Sequence, residues 1–145
     1  MQTTWVKDYE ISIQEAPDYH WYSYDSKNYD KVFHLTSAED FTRTILLTIK
    51  RARQEKKVVL VVPYYTIVDH CALPAGNRLF LMLNDLLCLF NLESLDIDKH
   101  QKLDTIGTMF ASYPYKQDFI LYGELDIFRV TSNLSIQWQF SGKDI

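Results

Sequence analysis

The sequence predicts an α+β fold, a mostly antiparallel sheet with two to three helices packed on it. Segments near both ends alternate apolar and polar residues at the two-residue period of a strand. Two central stretches, 41–54 and 78–92, carry apolar residues at helical spacing. Between them lies "VVLVV" (58–62), a β-branched run of the kind buried on both faces of a sheet. Strands, then helices, then strands is the order of an α+β chain.

The elements follow in order. In "WVKDYEISIQ" (5–14), Tyr9, Ile11 and Ile13 share one face and Glu10, Ser12 and Gln14 the other, up to the interruption at Pro17. "WYSY" (21–24) and "YDKVFHL" (29–35) read as further strands, because aromatic and β-branched residues suit a pleated surface. Ser37 stands before Ala38, Glu39 and Asp40 as a cap with acids in the first turn. The helix it opens runs to about Gln54, with Phe41, Ile45, Ile49 and Ala52 on one face. Pro63 ends the pairing of the buried strand, and Pro74 and Gly76 mark a loop. Asn77 caps a second helix over 78–92, stacked on Leu79, Leu83, Leu86 and Phe90 with a thin polar stripe at Asn84, Asp85, Cys88 and Asn91. A third opens at Asp96 or Asp98 and turns Leu103, Ile106, Met109 and Phe110 inward. After Pro114, "FILYGELDIFRV" (119–130) gives two short strands or one strand bulged at Gly123. "LSIQWQF" (134–140) alternates with Ile136, Trp138 and Phe140 inside. No internal repeat or low-complexity segment stands out. The central helix–strand–helix portion adds one parallel pairing.

At 145 residues the chain reads as a single globular domain over 1–145, long enough to bury a core without disulfides or metals. Three Trp, ten Tyr and eight Phe argue against disorder. "MQTTWVKDYE" lacks the apolar core of a signal peptide, and 79–92 is too short and too interrupted for a membrane span. The expectation is a cytoplasmic protein whose Cys71 and Cys88 stay reduced. Net charge is −4 and unevenly spread: residues 1–40 hold eight acids and three bases, 41–57 one acid and six bases, and 58–145 ten acids and six bases.

Three kinds of chemistry compete. "VDHC" (68–71) follows the buried strand and offers Cys71 as nucleophile, with His70 or a distant His34 or His100 as base. However, side chains adjacent in sequence diverge along an extended chain. The basic block Arg43, Lys50, Arg51, Arg53, Lys56 and Lys57 on the helix over 41–57 suggests phosphate tracking. An acidic chain repels that polyanion, and cations at a helix end complement its dipole. Metal binding has no support in the scattered histidines His20, His34, His70 and His100. "DID" (96–98) places two carboxylates together, a pattern that also serves a helix start. With four glycines in the whole chain there is no phosphate-cradling loop. No cofactor is expected.

The third kind is recognition. "DYHWYSYDSKNYD" (18–30) sets Tyr19, Trp21, Tyr22 and Tyr24 among Asp18, Asp25 and Asp30. Tyr and Trp give contact area at low entropic cost and dominate interface hot spots. Carboxylates among them steer a basic partner. "LDIDKHQKLD" (95–104), with Asp96, Asp98 and Asp104, is a second acidic surface.

With these two stretches and no catalytic motif, the chain resembles the bacterial toxin-immunity proteins of contact-dependent inhibition systems. The resemblance lies in size and character. It implies a non-catalytic protein that binds and neutralises a basic partner, a toxin nuclease domain, through an acidic, aromatic surface. It carries over no catalytic residues and no cofactor.

Overall fold

Every described segment with regular structure is a strand. The computed structural model describes residues 2–16, 27–36 and 41–142. Within them run β1 (Gln2–Val6), β2 (Tyr9–Glu15), β3 (Lys31–His34), β4 (Thr42–Arg51) and β5 (Gln54–Pro63). There follow β6 (Ala72–Ala75), β7 (Arg78–Leu83), β8 (Leu86–Asn91) and β9 (Asp96–Lys102). The last four are β10 (Met109–Tyr115), β11 (Asp118–Gly123), β12 (Asp126–Val130) and β13 (Ile136–Ser141). They form three sheets, ordered β1-β2-β4-β5-β3, β6-β7-β8-β9 and β10-β11-β12-β13. The expected α+β class is therefore wrong, and all three helices are hairpins or strands. No helix among the described residues is long and apolar enough to cross a membrane.

The first expected helix is the β4–β5 hairpin, turned at Ala52 with φ 54°. Its buried residues are Ile45, Leu47 and Ile49, at strand spacing, whereas Phe41 is 86% exposed. Thr and Ile at alternate positions suit a pleated surface better than a helix, where branching at Cβ costs rotamer freedom. The second expected helix is the β7–β8 hairpin. Its Asn84–Asp85 pair is the two-residue turn between Leu83 and Leu86, with Asn84 at φ 57°. Such turns need left-handed backbone, which Asn tolerates. The third is β9, paired antiparallel to β8, then a loop and the start of β10, with Leu103 and Met109 buried but Ile106 and Phe110 exposed.

Other expectations hold. The stretch 58–62 is a strand with every residue buried. Residues 119–130 make two strands, β11 and β12. Residues 29–35 contain β3, which pairs parallel with β5. The single strand expected over 5–14 is instead a hairpin, divided between β1 and β2 by a turn at Lys7, φ 52°. The strand expected at 21–24 and the cap at Ser37 lie outside the described residues.

The second sheet is the middle layer. Leu79, Leu81, Leu83, Cys88 and Phe90 face the first sheet and pack with Ile11, Ile13, Ile45, Leu47 and Leu60. Phe80, Met82, Leu87 and Leu89 face the third sheet and pack with Phe119, Leu121, Phe128 and Val130. Burial on both sides is what makes residues 79–90 a nearly unbroken apolar run.

An internal repeat is also present, with a period of 40 residues. The pairs Ala72↔Leu81, Leu73↔Phe80, Pro74↔Leu79 and Ala75↔Arg78 recur as Ser112↔Leu121, Tyr113↔Ile120, Pro114↔Phe119 and Tyr115↔Asp118. Leu81↔Cys88 and Phe80↔Leu89 recur as Leu121↔Phe128 and Ile120↔Arg129. Gly76 and Lys116 take the same left-handed turn position, φ 65° and 55°. The bulge between Leu89 and Phe90 is repeated between Arg129 and Val130. In the first sheet β1, β2, β4 and β5 make the same meander, with β3 added at its edge. The first strands β1, β6 and β10 lie side by side, and Ser112 N donates to His70 O at 2.8 Å. Four-stranded meanders recurring near 40 residues and stacked face to face are the units from which β-propellers are built.

Candidate functional site

The surface that stands out is the outer face of the third sheet. In an antiparallel pair, directly opposed residues share a face. Tyr113, Ile120, Arg129 and Trp138 are opposed in one row across all four strands. Tyr122, Ile127 and Phe140 form a second row. Phe119, Leu121, Phe128 and Val130 lie on the opposite side, in the core shared with the second sheet. Tyr113, Tyr122, Trp138 and Phe140 are 48, 48, 38 and 57% exposed. Trp138 and Phe140 meet at 5.4 Å between ring centroids, and Phe110 meets Tyr122 at 6.2 Å.

One ion pair is closed within this face. Arg129 Nε donates to Asp118 Oδ2 at 2.8 Å, and its guanidinium stacks over the Tyr115 ring at 4.9 Å. The face is therefore aromatic and broad, with one closed ion pair and one cation at its border, Lys116, whose Nζ lies 5.5 Å over the Tyr115 ring. That chemistry suits contact with another protein.

The alternation expected over 134–140, with Ile136, Trp138 and Phe140 inside, is not kept: every residue from Ile136 to Phe140 is exposed, and the register shift between Arg129 and Val130 leaves Ile136 opposed to the core residue Val130. Trp138 and Phe140 are on the outer face. Gln139, opposed to Phe128, is on the core side, where its Nε2 donates to Asp126 Oδ1 at 3.3 Å and to Asp104 O at 2.8 Å. The buried Asp126 carboxylate needs donors, and Gln139, itself exposed, supplies one.

The expected site residues are dispersed. Asp18, Tyr19, Trp21, Tyr22, Tyr24 and Asp25 lie outside the described residues. Asp30 accepts from Lys57 N at 2.8 Å and, with its own N–H bonded to Lys57 O, prolongs the β3–β5 pairing. Asp96 is paired with Lys31 at 3.2 Å. Asp98 accepts from Asn91 Nδ2 at 3.0 Å and lies 3.8 Å from Arg78. Asp104 is exposed in the segment after β9, where its carbonyl accepts from Gln139. Asp96 thus pairs across to the first sheet and Asp98 bonds to strands of its own sheet, and no group of three or more His, Cys, Asp or Glu among the described residues could hold a metal ion.

Cys71 is fully buried in the core between the first two sheets. Desolvation pushes its thiol up to about 12, which leaves little thiolate near neutral pH. His70, at φ 57°, is exposed and stacks near Tyr113 instead. The distant histidines His34 and His100 meet the other cysteine. They line a cleft of about 470 Å³ with Leu86, Cys88 and Ile97, where burial likewise pushes Cys88 up to about 12. The basic block is no helical stripe. Arg43 is tied to Glu15 and to Thr66 O, and Arg51 to Asp8, Glu93 and the Tyr9 ring.

No protein-family model matches the chain, and no curated protein matches its sequence.

The outer face went unnoticed in the sequence because Tyr113, Tyr115 and Tyr122 stand among residues with no common spacing. The signal that finds them is the repeat. Setting "LPAGNRLFLML" (73–83) over "YPYKQDFILYG" (113–123) aligns Pro74 with Pro114 and the buried Leu79 and Leu81 with the buried Phe119 and Leu121, and it puts Tyr122 opposite the buried Met82.

Proposed function

We propose that this protein is a non-catalytic, cytoplasmic protein-binding module whose contact surface is the outer face of the third sheet. One observation carries the reading. Ile120, Tyr122, Ile127 and Arg129 occupy the positions that in the second sheet are Phe80, Met82, Leu87 and Leu89. The latter four are completely covered by a neighbouring sheet, whereas of the former Tyr122 is exposed and Ile120, Ile127 and Arg129 are half-buried. Apolar surface so arranged gains free energy when a partner displaces its water, at about 25 cal/mol per Å². The buried, protonated thiols of Cys71 and Cys88 favour binding over nucleophilic chemistry.

The basic-partner reading finds less support at this face. The one carboxylate in its rows, Asp118, is already held by Arg129, a cation, Lys116, borders the face, and two of the acids expected to meet a cationic partner, Asp96 and Asp98, are engaged within the chain. A nuclease domain is therefore not favoured over other proteins.

Site-specific photo-crosslinking in the native host tests the proposal. A benzophenone side chain at Tyr122 or Phe140 is expected to give a discrete protein adduct, whereas one at exposed Glu55 on β5 gives none. Absence of adducts from both face positions, or equal adducts from Glu55, would sink the reading.

A further inference from the structure

We infer that the free edge of β13 takes an extended segment of another protein as a fifth strand of the third sheet. The inference rests on the binding-face reading, since such a segment lies beside Trp138 and Phe140, and it adds the conformation of the partner. The backbone leaves this edge open. Gly142 N donates to Leu125 O at 2.8 Å, in the register that opposes Ser141 to Asp126. Residues of an antiparallel pair alternate between bonded and non-bonded positions. Trp138 and Phe140 therefore bond to β12. The N–H and C=O groups of Gln139 and Ser141 point the other way, where no described strand pairs with them. The register shift of β13 lies nearer its start, between Arg129 and Val130, so 138–141 is regular.

An unpaired edge invites other chains, and proteins blunt such edges with charge, proline, short length or cover. The other described edges are blunted or covered. β9 carries Asp96, Asp98, Lys99 and Lys102, β6 carries Pro74, and β10 carries Pro114. β1 lies against β6, and β3 is four residues long and opens with Lys31. β13 reads Ile-Gln-Trp-Gln-Phe-Ser, with neither charge nor proline. The first sheet shows what fits there. The outermost strand of its meander, β5, is paired in parallel by β3, from Lys31↔Val58 to His34↔Val61. β13 is the outermost strand of the third sheet's meander and the counterpart of β5 in the repeat. Opposed residues share a face. The incoming segment therefore sets apolar side chains beside Trp138 and Phe140 at alternate positions, and polar ones beside Gln139 and Ser141.

Panning phage-displayed random dodecapeptides against the immobilised full chain is the test. Enriched peptides are expected to carry apolar residues at alternate positions, with no proline in that run. Ser141→Pro removes an edge N–H without taking a bond from β12. It is expected to weaken peptide binding about 10-fold, the loss of one hydrogen bond. Ser141→Ala keeps the amide and is expected to bind like wild type, which separates the edge from the hydroxyl's bond to Asp126. Amide exchange examines the edge with no variant at all. In the free chain Gln139 and Ser141 should exchange faster than Trp138 and Phe140, and bound peptide should slow them. No enriched peptide, peptides that bind Ser141→Pro as well as wild type, or Gln139 and Ser141 amides already slow in the free chain overturns the inference. Slowing that grows with the chain's own concentration rejects a foreign strand in favour of a second copy. Peptides lost on Tyr122→Ala but kept on Ser141→Pro reject the edge and keep the binding face.

Discussion

Asp126 has no exposed surface, yet it is a carboxylate. Desolvation would raise its pKa, but bonds from Thr105 Oγ1, from Ile106 N at 2.6 Å, and from Gln139 and Ser141 outweigh it and hold the group below its usual range. A depressed folded-state pKa means stability that is present above the unfolded value, about 3.9, and lost as pH falls through the folded one. Asp126→Asn places an amide donor against the Thr105 and Ile106 donors. It is expected to cost about 2 kcal/mol at pH 7 and to flatten the loss of stability below about pH 4. Urea unfolding at pH 7 and pH 3 measures both, and equal pH dependence in the two proteins would contradict the account. None of this was legible beforehand, because Asp126 reads as one more acid until β13 brings Gln139 beside it.

At the scale of elements, the turns carry the information that the apolar pattern lacks. Asn84 permits the left-handed turn between β7 and β8 and also accepts a buried bond from Met109 N at 3.0 Å. Asn84→Ala loses both and is expected to destabilise by about 2 kcal/mol. Asn84→Gly keeps the backbone freedom and loses only the acceptor, so it should fall between. Denaturant midpoints rank the three, and a wild-type-like alanine variant would refute the double role. The same pair, Asn84 and Asp85, also fits the polar stripe of a helix. A run apolar on every side matches any period, so leucines at 79, 83 and 86 satisfied helical spacing by default. Strand 58–62 escaped the confusion because five β-branched or aliphatic residues ending at a proline are too few for a helix.

The whole molecule is a stack of three sheets, and both cysteines are buried where the first two meet. Their thiols are expected to react with an aromatic disulfide reagent only as the stack opens. The rate should rise with urea in step with the loss of circular dichroism, and reaction in native buffer at the rate of a free thiol would contradict this. The amino-acid sequence by itself determined where most chain-terminal strands lie, which run is buried on both faces, and that an aromatic-rich, net acidic chain carries no phosphate loop or metal motif. Those properties depend on neighbours along the chain. The tertiary structure alone decided that the central segments are hairpins, that β13 turns its rings outward, and that Asp96 and Asp98 are spent on internal pairs. Those properties depend on which surface covers which. A leucine in the middle sheet and a tyrosine at the equivalent place in the last one obey the same local pattern, and they differ because one has a sheet lying over it and the other does not.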